Sequence, residues 1–270
     1  TQEGRKEVAD ETLKILSSGK YTYIDASGKS VQVDISTKIY NSRYTTKTYK
    51  PNYYDHFVLP SKGPMGKIEV RCESTFGAAR RLCGLNLHTC ALNFASATKP
   101  GGGFKNGKKA QEECLSRQSA LYETIKNEKE MYQVHLANKY DNYYKDYMIY
   151  SPAVPVFRDD RTEQLLGPDE VFCTDVITSA APWKAKIQEA GGDLSNLDKI
   201  IYRRCEKIFK CAIDNKVQAL VLGAYGCGVF GNKPKDVSRI FKELLIDKEY
   251  GKYFKVVEFA ITGPHSENFT

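Results

Sequence analysis

The sequence predicts a layered α/β domain with a largely parallel central sheet, on three observations. From residue 67 onward, segments with strand periodicity alternate with segments of helical periodicity, which is typical of layered α/β folds. Residues 219–222 are a continuous apolar run, as expected of a parallel strand buried on both faces. Two glycine-rich loops directly follow predicted strands, and ligands in such sheets bind beyond the carboxyl ends of the strands.

The N-terminal part is predicted to be an extension, residues 1–66, that packs on a core formed by residues 67–270. A helix covers residues 3–18 and stops at Gly19, because glycine readily ends a helix. Residues 20–65 are rich in Tyr, Thr and Lys, and they predict a hairpin together with irregular structure.

The core is predicted to alternate strands and helices from residue 67 to the end. Predicted strands cover residues 67–72, 87–94, 147–154, 171–177, 219–222 and 254–261. Predicted helices begin at the N-cap Ser74, near Ala110, at residue 197 and near Val237. The second of these places Cys114, Leu121, Tyr122 and Ile125 on one face.

The composition is that of a globular protein rather than a membrane or disordered one. Apolar residues make up 41% of the 270 residues, which is ample for a buried core. The net charge of 40 − 33 = +7 favours anionic partners only weakly, because the lysines are scattered. No apolar run is long enough to cross a bilayer, and no signal peptide is visible. We expect an intracellular protein, cytoplasmic or nuclear if eukaryotic, without a membrane partner.

The cysteines and histidines show no pattern for a disulfide framework or a metal. Eight cysteines occur without a CxxC pair, so we expect reduced, mostly buried thiols. The histidines at 56, 88, 135 and 265 are dispersed and lack metal-ligand spacing. We expect no metal and no cofactor.

The first glycine-rich loop, residues 93–104, contains Gly101, Gly102 and Gly103 in succession. Consecutive glycines allow positive φ angles and a close approach of the backbone to a ligand, and their N–H groups can converge on a phosphate. The spacing is neither a Walker A loop nor GxGxxG. The alternative interpretation is a flexible surface loop.

An acid pair follows this loop, in Gln111-Glu112-Glu113 at the start of the next helix. Acidic residues in a first turn ordinarily just favour the helix dipole. A carboxyl beside a bound diphosphate and partly desolvated would instead have a raised pKa, and could then act as a general acid.

The second loop, residues 223–232, contains four glycines between a buried strand and a helix, which suits a diphosphate. Phe230 stacks on a ribose or base, or packs in the core. Cys227 is not expected to be a nucleophile, since no histidine is near it in sequence. Trp183 follows another strand end and either stacks on adenine or packs.

These motifs together resemble the microbial-type poly(ADP-ribose) glycohydrolases, a branch of the macrodomain superfamily. The family carries GGG, a short spacer and QEE; here seven residues separate Gly103 from Gln111. Asn93, Phe94 and Ala95 before the loop and residues 116–122 after the acids also match. The resemblance runs from about residue 67 to the C-terminus, with a weaker match in the N-terminal helix.

The resemblance implies a three-layer α/β/α macrodomain and a set of site residues. Glu113 corresponds to the catalytic acid, Glu112 to the residue that orients ribose, and Asn93 to a residue of the distal ribose site. The other expected substrate-binding residues are Ala95, Gly101, Gly102, Gly103, Gln111, Gly226, Cys227, Gly228, Val229 and Phe230. Two departures are Trp183, where relatives often have a small polar residue, and residues 20–65, which match nothing.

The implied function is hydrolysis of ribose–ribose O-glycosidic bonds in poly(ADP-ribose), with release of ADP-ribose from the polymer end. The expected partners are poly(ADP-ribose) or ADP-ribosylated proteins, so the protein would act in de-ADP-ribosylation and the DNA damage response. We expect a monomer that does not bind nucleic acid directly. The alternatives are a non-catalytic ADP-ribose reader, a hydrolase of mono-ADP-ribosyl or ADP-ribose ester substrates, and a phosphate-transferring nucleotide enzyme. The last alternative would need a Lys and a hydroxyl after the glycines, and that pattern is absent.

Overall fold

The computed structural model describes residues 1–263 and residue 268, and within them the chain forms nine α-helices and nine β-strands. The helices are α1 (Gln2–Ser18), α2 (Ser36–Thr45), α3 (Thr75–Gly84), α4 (Gln111–Gln118), α5 (Leu121–Ile125), α6 (Lys129–Ala137), α7 (Lys184–Glu189), α8 (Leu197–Asp214) and α9 (Pro234–Lys242). The strands are β1 (Lys20–Ile24), β2 (Ser30–Asp34), β3 (Lys47–Tyr49), β4 (Lys67–Arg71), β5 (Thr89–Phe94), β6 (Met148–Val156), β7 (Phe172–Ser179), β8 (Ala219–Leu222) and β9 (Val256–Ala260).

Seven strands form one sheet in the order β3-β6-β7-β5-β8-β9-β4. Strands β7, β5, β8, β9 and β4 run parallel to one another. Strand β6 is antiparallel to β7, and β3 is antiparallel to β6. Parallel strands need crossover connections, which α3, α8 and α9 supply. The predicted α/β fold with a mixed, largely parallel sheet is confirmed.

The two faces of this sheet are covered by different helices, which makes three layers. Leu220 of β8 packs into one apolar cluster and Val221 into the other, because successive side chains of a strand point to opposite faces. The first cluster contains Phe209 of α8 and Phe241 of α9. The second contains Phe76 of α3 and apolar side chains of α1, α4, α5 and α6.

The first helix is fixed to the second layer by polar contacts as well as by its apolar face. The hydroxyl of Thr12 donates to the carbonyl of Arg117 at 2.7 Å, and Nη2 of Arg158 donates to Oε2 of Glu11 at 2.5 Å. Gly19 follows the helix with a φ of 72°. This left-handed conformation is the one expected of a glycine that ends a helix, as predicted.

Strand β3 connects the N-terminal part to the main sheet. Thr48 lies opposite Ile149 of β6, and β3 is the edge strand. The division of the chain into an extension, residues 1–66, and a core, residues 67–270, stays a prediction. Any such extension would contribute one strand to the sheet of the core.

The irregular structure predicted within residues 20–65 is wrong for two segments. The hairpin of β1 and β2 is present, but α2 and β3 follow it. Helix α2 lacks an apolar stripe, since only Ile39 and Ser42 of its residues are buried and its other side chains face solvent. Periodicity therefore gives no signal for it.

The single helix predicted from Ala110 onward is wrong, because α4 and α5 are separate helices. Ser119 forms a β-bridge with Val156, and the N–H of Ala120 donates to the carbonyl of Pro155 at 3.0 Å. These bonds to the end of β6 replace helical ones and end α4. Helices α6 and α7 were not predicted; α7 buries only Ile187.

The cysteines are less buried than predicted. No disulfide joins them, and of the eight only Cys90, Cys205 and Cys211 are fully buried, while Cys72 is exposed. In the described part of the chain, no three His, Cys, Asp or Glu side chains gather as a metal site would require. Among the same residues, no helix is both long and apolar enough to cross a membrane. His265 lies outside the described residues.

Candidate active site

The candidate site lies where β5, β7 and β8 end at the same edge of the sheet. Phe94, the last residue of β5, stands opposite Ser179 of β7 in parallel register. The first glycine-rich loop leaves β5 here, and the second leaves β8. A Cβ added to Gly223 would lie 2.8 Å from Cζ of Phe94. The two loops therefore meet at one place.

The triple-glycine segment lies directly against the acid pair of α4. Gly101 and Gly102 have φ angles of 72° and 57°, in the left-handed region that side chains disfavour. A Cβ on Gly102 would lie 2.5 Å from Oε1 of Glu113 and 3.2 Å from Oε2 of Glu112. Only a glycine allows this contact between backbone and carboxylates.

The expectation that the three glycine N–H groups converge on a phosphate is wrong for two of them. The N–H of Gly102 donates to the carbonyl of Lys99 at 2.9 Å, and that of Gly103 donates to Oε1 of Glu113, also at 2.9 Å. Backbone N–H groups need acceptors when they are removed from water, and α4 supplies one within reach. The loop thus holds the first turn of α4 in place.

Glu112 is almost completely buried. Its Oε1 accepts from Nδ2 of Asn93 at 3.2 Å, and its Oε2 accepts from the N–H of Ser96 at 2.7 Å. Burial raises the pKa of Glu112 to about 8; the neighbouring charge of Glu113 adds to the rise, while the hydrogen bonds oppose it. The carboxyl is therefore mostly protonated at neutral pH.

Glu113 has one oxygen held by the protein and one without a partner. Its Oε1 accepts from Gly103, whereas its buried Oε2 has no hydrogen-bond partner among the described residues. Oδ1 of Asn93 and Oγ of Ser116 are also buried without a hydrogen-bond partner among the described residues. Buried polar atoms without partners are rare, so a group of them marks a place where a polar ligand can bind.

Two residues of this site, Ser116 and Thr178, were not predicted from the sequence. Ser116 lies three residues after Glu113, and that spacing on a helix places both on one face, so the signal was present. Thr178 accepts a hydrogen bond from Nδ2 of Asn93 at 3.2 Å. It lies beside Asn93 only because β5 and β7 pair in that register, which the sequence does not reveal.

Gln111 joins α4 to the end of β5. Its Oε1 accepts from the N–H of Phe94 at 2.8 Å, and its Nε2 donates to the carbonyl of Leu92 at 2.7 Å and to the hydroxyl of Thr75 at 3.1 Å. Both ends of the amide are thus in use within the protein.

The second loop presents backbone N–H groups that have no acceptor among the residues the structure describes. Gly226 has a φ of 72°, and a Cβ there would lie 2.6 Å from Cβ of Ala181. Within the described residues, the N–H groups of Gly228, Val229 and Phe230 have no acceptor. Consecutive N–H groups of this kind form an anion-binding concavity. The thiol of Cys227 donates to the carbonyl of Tyr225 at 3.6 Å.

An aromatic pair supports the second loop. The rings of Phe230 and Trp183 stack with centroids 4.8 Å apart and an interplanar angle of 17°, and the ammonium of Lys186 lies 4.2 Å from the Trp183 centroid. Both rings pack against the cluster that contains the buried Ala95. Trp183 is therefore packed within the protein, against both Phe230 and Lys186.

A cavity of about 720 Å³ connects the second loop with α4. This volume falls within the range of roughly 300–1,000 Å³ for small-molecule sites. Its wall includes Phe94, Gln111, Gly226 and Phe230. Glu112 and Glu113 follow Gln111 on α4 and lie beneath the triple-glycine segment rather than in this wall. The acid pair is therefore adjacent to the cavity without forming part of its wall.

Comparisons with known proteins agree with this arrangement. The family described as microbial-type PARG, catalytic domain, matches residues 9–159. Among solved structures, poly(ADP-ribose) glycohydrolase from Thermomonospora curvata is 37% identical, with a TM-score of 0.87 over 96% of this chain and 93% of its own. The same enzyme bound to the inhibitor ADP-HPD is matched at 35% identity and a TM-score of 0.87, over 99% and 97%.

A third relative comes from Deinococcus radiodurans. Its poly(ADP-ribose) glycohydrolase in complex with ADP-ribose is 35% identical, with a TM-score of 0.77 over 86% of this chain and 93% of its own. No curated protein sequence matches the chain.

The fold and site thus define a macrodomain-type α/β glycoside hydrolase. The chain belongs to the microbial-type poly(ADP-ribose) glycohydrolase family. The family and the enzyme class predicted from the GGG–QEE spacing are both confirmed.

Proposed function

We propose that this chain releases ADP-ribose from the end of poly(ADP-ribose) by hydrolysing ribose–ribose O-glycosidic bonds, with Glu113 as general acid and then general base. The observation that carries the assignment is the state of Glu113. One oxygen is fixed by the N–H of Gly103, and the other is buried without a partner among the described residues. Oγ of Ser116, about one helical turn further on, and Oδ1 of Asn93, whose amide nitrogen donates to Glu112, lack partners there too.

In this mechanism Glu113 gives its proton to the departing ribose oxygen as the glycosidic bond breaks. The anomeric carbon becomes oxocarbenium-like, and the carboxylate of Glu113 then removes a proton from the attacking water. The usual glycosidase uses two carboxylates. Glu112 does not supply the second one, because both of its oxygens already accept hydrogen bonds, from Asn93 and Ser96; its remaining lone pairs orient ribose instead.

The remaining predicted residues bind the rest of the substrate. The N–H groups of Gly228, Val229 and Phe230, which have no acceptor among the described residues, hold the diphosphate, and this places negative charge where it can stabilise the developing cation. Phe230 borders the adjoining cavity and contacts the adenosine part. Gly101, Gly102 and Gly103 set the position of Glu113. The substrates are poly(ADP-ribose) or ADP-ribosylated proteins, and the protein acts as a monomer.

The decisive variant is Glu113→Gln. Its amide keeps an oxygen that can accept from Gly103 but cannot donate a proton as an acid does. We expect release of ADP-ribose to fall by roughly 10²–10⁴-fold, the usual share of general acid–base catalysis. Calorimetric binding of ADP-ribose should remain close to that of the wild type.

Matched measurements separate the alternatives. Glu112→Gln should retain more activity than Glu113→Gln, because it replaces a carboxyl that is already neutral. Wild-type protein that binds ADP-ribose without releasing it from polymer would be a reader. Turnover of mono-ADP-ribosyl protein or an ADP-ribose ester, without turnover of polymer, would show that the substrate is one of these and not the polymer. Full activity of Glu113→Gln would refute this mechanism.

A further inference from the structure

The connection between β5 and α4, residues 95–110, is basic throughout. It contains Lys99, Lys105, Lys108 and Lys109 but no Asp or Glu. All four lysines are exposed, and none of them forms an ion pair with another residue that the structure describes. The proposed mechanism gives a part to the three glycines of this connection but to none of its cations.

The side chain of Lys108 lies directly across the triple-glycine segment. A Cβ added to Gly103 would lie within 3.2 Å of Cγ, Cδ and Cε of Lys108, so three consecutive carbons of this side chain pack on the glycine. A lysine stem can cover a surface in this way while its ammonium stays in water. The ammonium follows Cε by one bond, and it therefore lies beside the residue whose N–H holds Oε1 of Glu113.

Two other lysines of the connection have different surroundings. Lys105 donates to the hydroxyl of Tyr122 at 2.8 Å, and its ammonium is 4.5 Å from the centroid of that ring. Lys109 belongs to the wall of the cavity, whereas Lys108 does not. Lys108 thus packs against the residue that holds the proposed acid, and it lies outside the wall of the cavity proposed for the adenosine part of the released unit.

We infer that Lys108 binds the diphosphate of the polymer unit on the leaving side of the scissile bond; this inference rests on the proposed function. The bond that breaks joins the anomeric carbon of the released unit to the 2′ oxygen of the next adenosine ribose. That same ribose carries a diphosphate on its 5′ carbon, so this diphosphate is the first anionic group beyond the departing oxygen. A lysine ammonium binds phosphate as a compact point charge.

The two diphosphates that flank the scissile bond then have separate sites. The N–H groups of residues 228–230 hold the diphosphate of the released unit, at the cavity. Glu113 protonates the oxygen between the two units, and Lys108 holds the second diphosphate from beside Gly103. An ADP-ribose ester or a mono-ADP-ribosyl protein has no second diphosphate, so Lys108 favours polymer over these substrates.

The test compares two substrates that differ only in the leaving group. One is a dimer of ADP-ribose units, and the other is ADP-ribosyl adenosine, in which the same bond leads to an adenosine without phosphate. Lys108→Met keeps an unbranched stem over Gly103 and removes the charge. We expect kcat/KM for the dimer to fall about fivefold, the upper end of what an exposed ion pair contributes, and to depend less on salt. The kcat/KM for ADP-ribosyl adenosine and the Kd of ADP-ribose should not change.

Two control variants separate the charge at this position from charge in general. Lys108→Arg keeps the positive charge and should retain most of the activity on the dimer. Lys29 is exposed in the turn between β1 and β2, and Lys29→Met should leave every parameter unchanged.

Binding to Glu113→Gln measures the same contact without turnover. Calorimetry should give a lower Kd for the dimer than for ADP-ribosyl adenosine, and the added Lys108→Met substitution should remove that difference. The comparison is valid even if the wild type releases no ADP-ribose. Failure of the proposed function is thus distinct from failure of this inference.

Three results would overturn the leaving-side site. One is equal affinity of Glu113→Gln for the two ligands. Another is an equal loss of kcat/KM for both substrates in Lys108→Met, which would mean that the stem only positions Gly103. The third is a loss in Lys29→Met as large as that in Lys108→Met, which would make net charge the cause.

Discussion

Gly102 links the conformation of the first loop to the chemistry of the site. Its φ of 57° and its contact with the two carboxylates leave no room for a side chain. Gly101 shares the positive φ but faces Phe104 and Ser116. Gly103 differs, because its φ of −102° is ordinary; its N–H donates to Glu113, and a Cβ there would lie 2.4 Å from Cδ of Lys108. The three glycines therefore contribute to the site in three different ways.

Gly102→Ala should displace the carboxylate of Glu113 and reduce kcat on poly(ADP-ribose). A misplacement of about 1 Å at a reacting group costs on the order of 10²-fold, and alanine in the left-handed region adds about 1 kcal/mol of strain. Steady-state kinetics with thermal unfolding measures both effects. Gly84→Ala is the control, since a Cβ there meets nothing within 4 Å. Equal kcat in the two variants would contradict this contact.

At the scale of elements, the acid pair depends on how α4 is joined to β5. The amide of Gln111 bridges the first turn of α4 to Leu92, Phe94 and Thr75. The triple-glycine segment holds the other side of that turn through Gly103. The helix start is thus fixed from two directions, and the carboxylates keep one geometry.

Gln111→Leu should lower both stability and activity. It leaves the N–H of Phe94 and the carbonyl of Leu92 without their partner, and each such group costs about 1–3 kcal/mol where it is buried. Urea unfolding and turnover of poly(ADP-ribose) give the two quantities. Gln133→Leu, on the exposed face of α6, is the matched control. Lost ADP-ribose affinity at unchanged stability would instead make Gln111 a substrate contact, as the family resemblance predicted.

At the scale of the whole molecule, two histidines make the free energy of unfolding depend on pH in opposite directions. Buried His135 donates from Nδ1 to the carbonyl of Ala97 at 3.0 Å, and its Nε2 accepts from the N–H of Lys145 at 2.9 Å. The second bond requires the neutral ring, because a protonated Nε2 cannot accept a hydrogen bond. Burial, with a smaller contribution from Arg204, lowers the pKa of His135, whereas the hydrogen bond with Asp175 raises that of His88.

The contribution of His135 to stability should be complete above its unfolded pKa of 6.5 and decrease as the pH falls through its lower folded value. The contribution of His88 to stability should be complete below pH 6.5, its unfolded pKa, and should decrease as the pH rises through its higher folded pKa. Urea unfolding across this range should show a weaker acid-side slope for His135→Gln than for the wild type. His88→Gln should alter only the alkaline side. An unchanged acid-side slope for His135→Gln would refute the assignment.

Much of the molecule could be predicted from local sequence. The alternating strands and helices, the Gly19 stop and the Ser74 cap depend on residues close together in the chain, and they occur as predicted. The GGG–QEE spacing indicated the family, which the comparisons confirm. Such features are set by periodicity and by the φ angles that particular residues allow.

Other features arise only when distant segments meet. Pairing of Ser119 with Val156 ends α4, and the register of β5 with β7 brings Thr178 beside Asn93. The raised pKa of Glu112 depends on how much protein surrounds it. The sequence by itself determined the fold class, the loops and the acid pair, because these depend on local residue chemistry. The tertiary structure alone decided which oxygen of Glu113 is unpartnered, because burial and hydrogen-bond partners come from residues far apart in the chain.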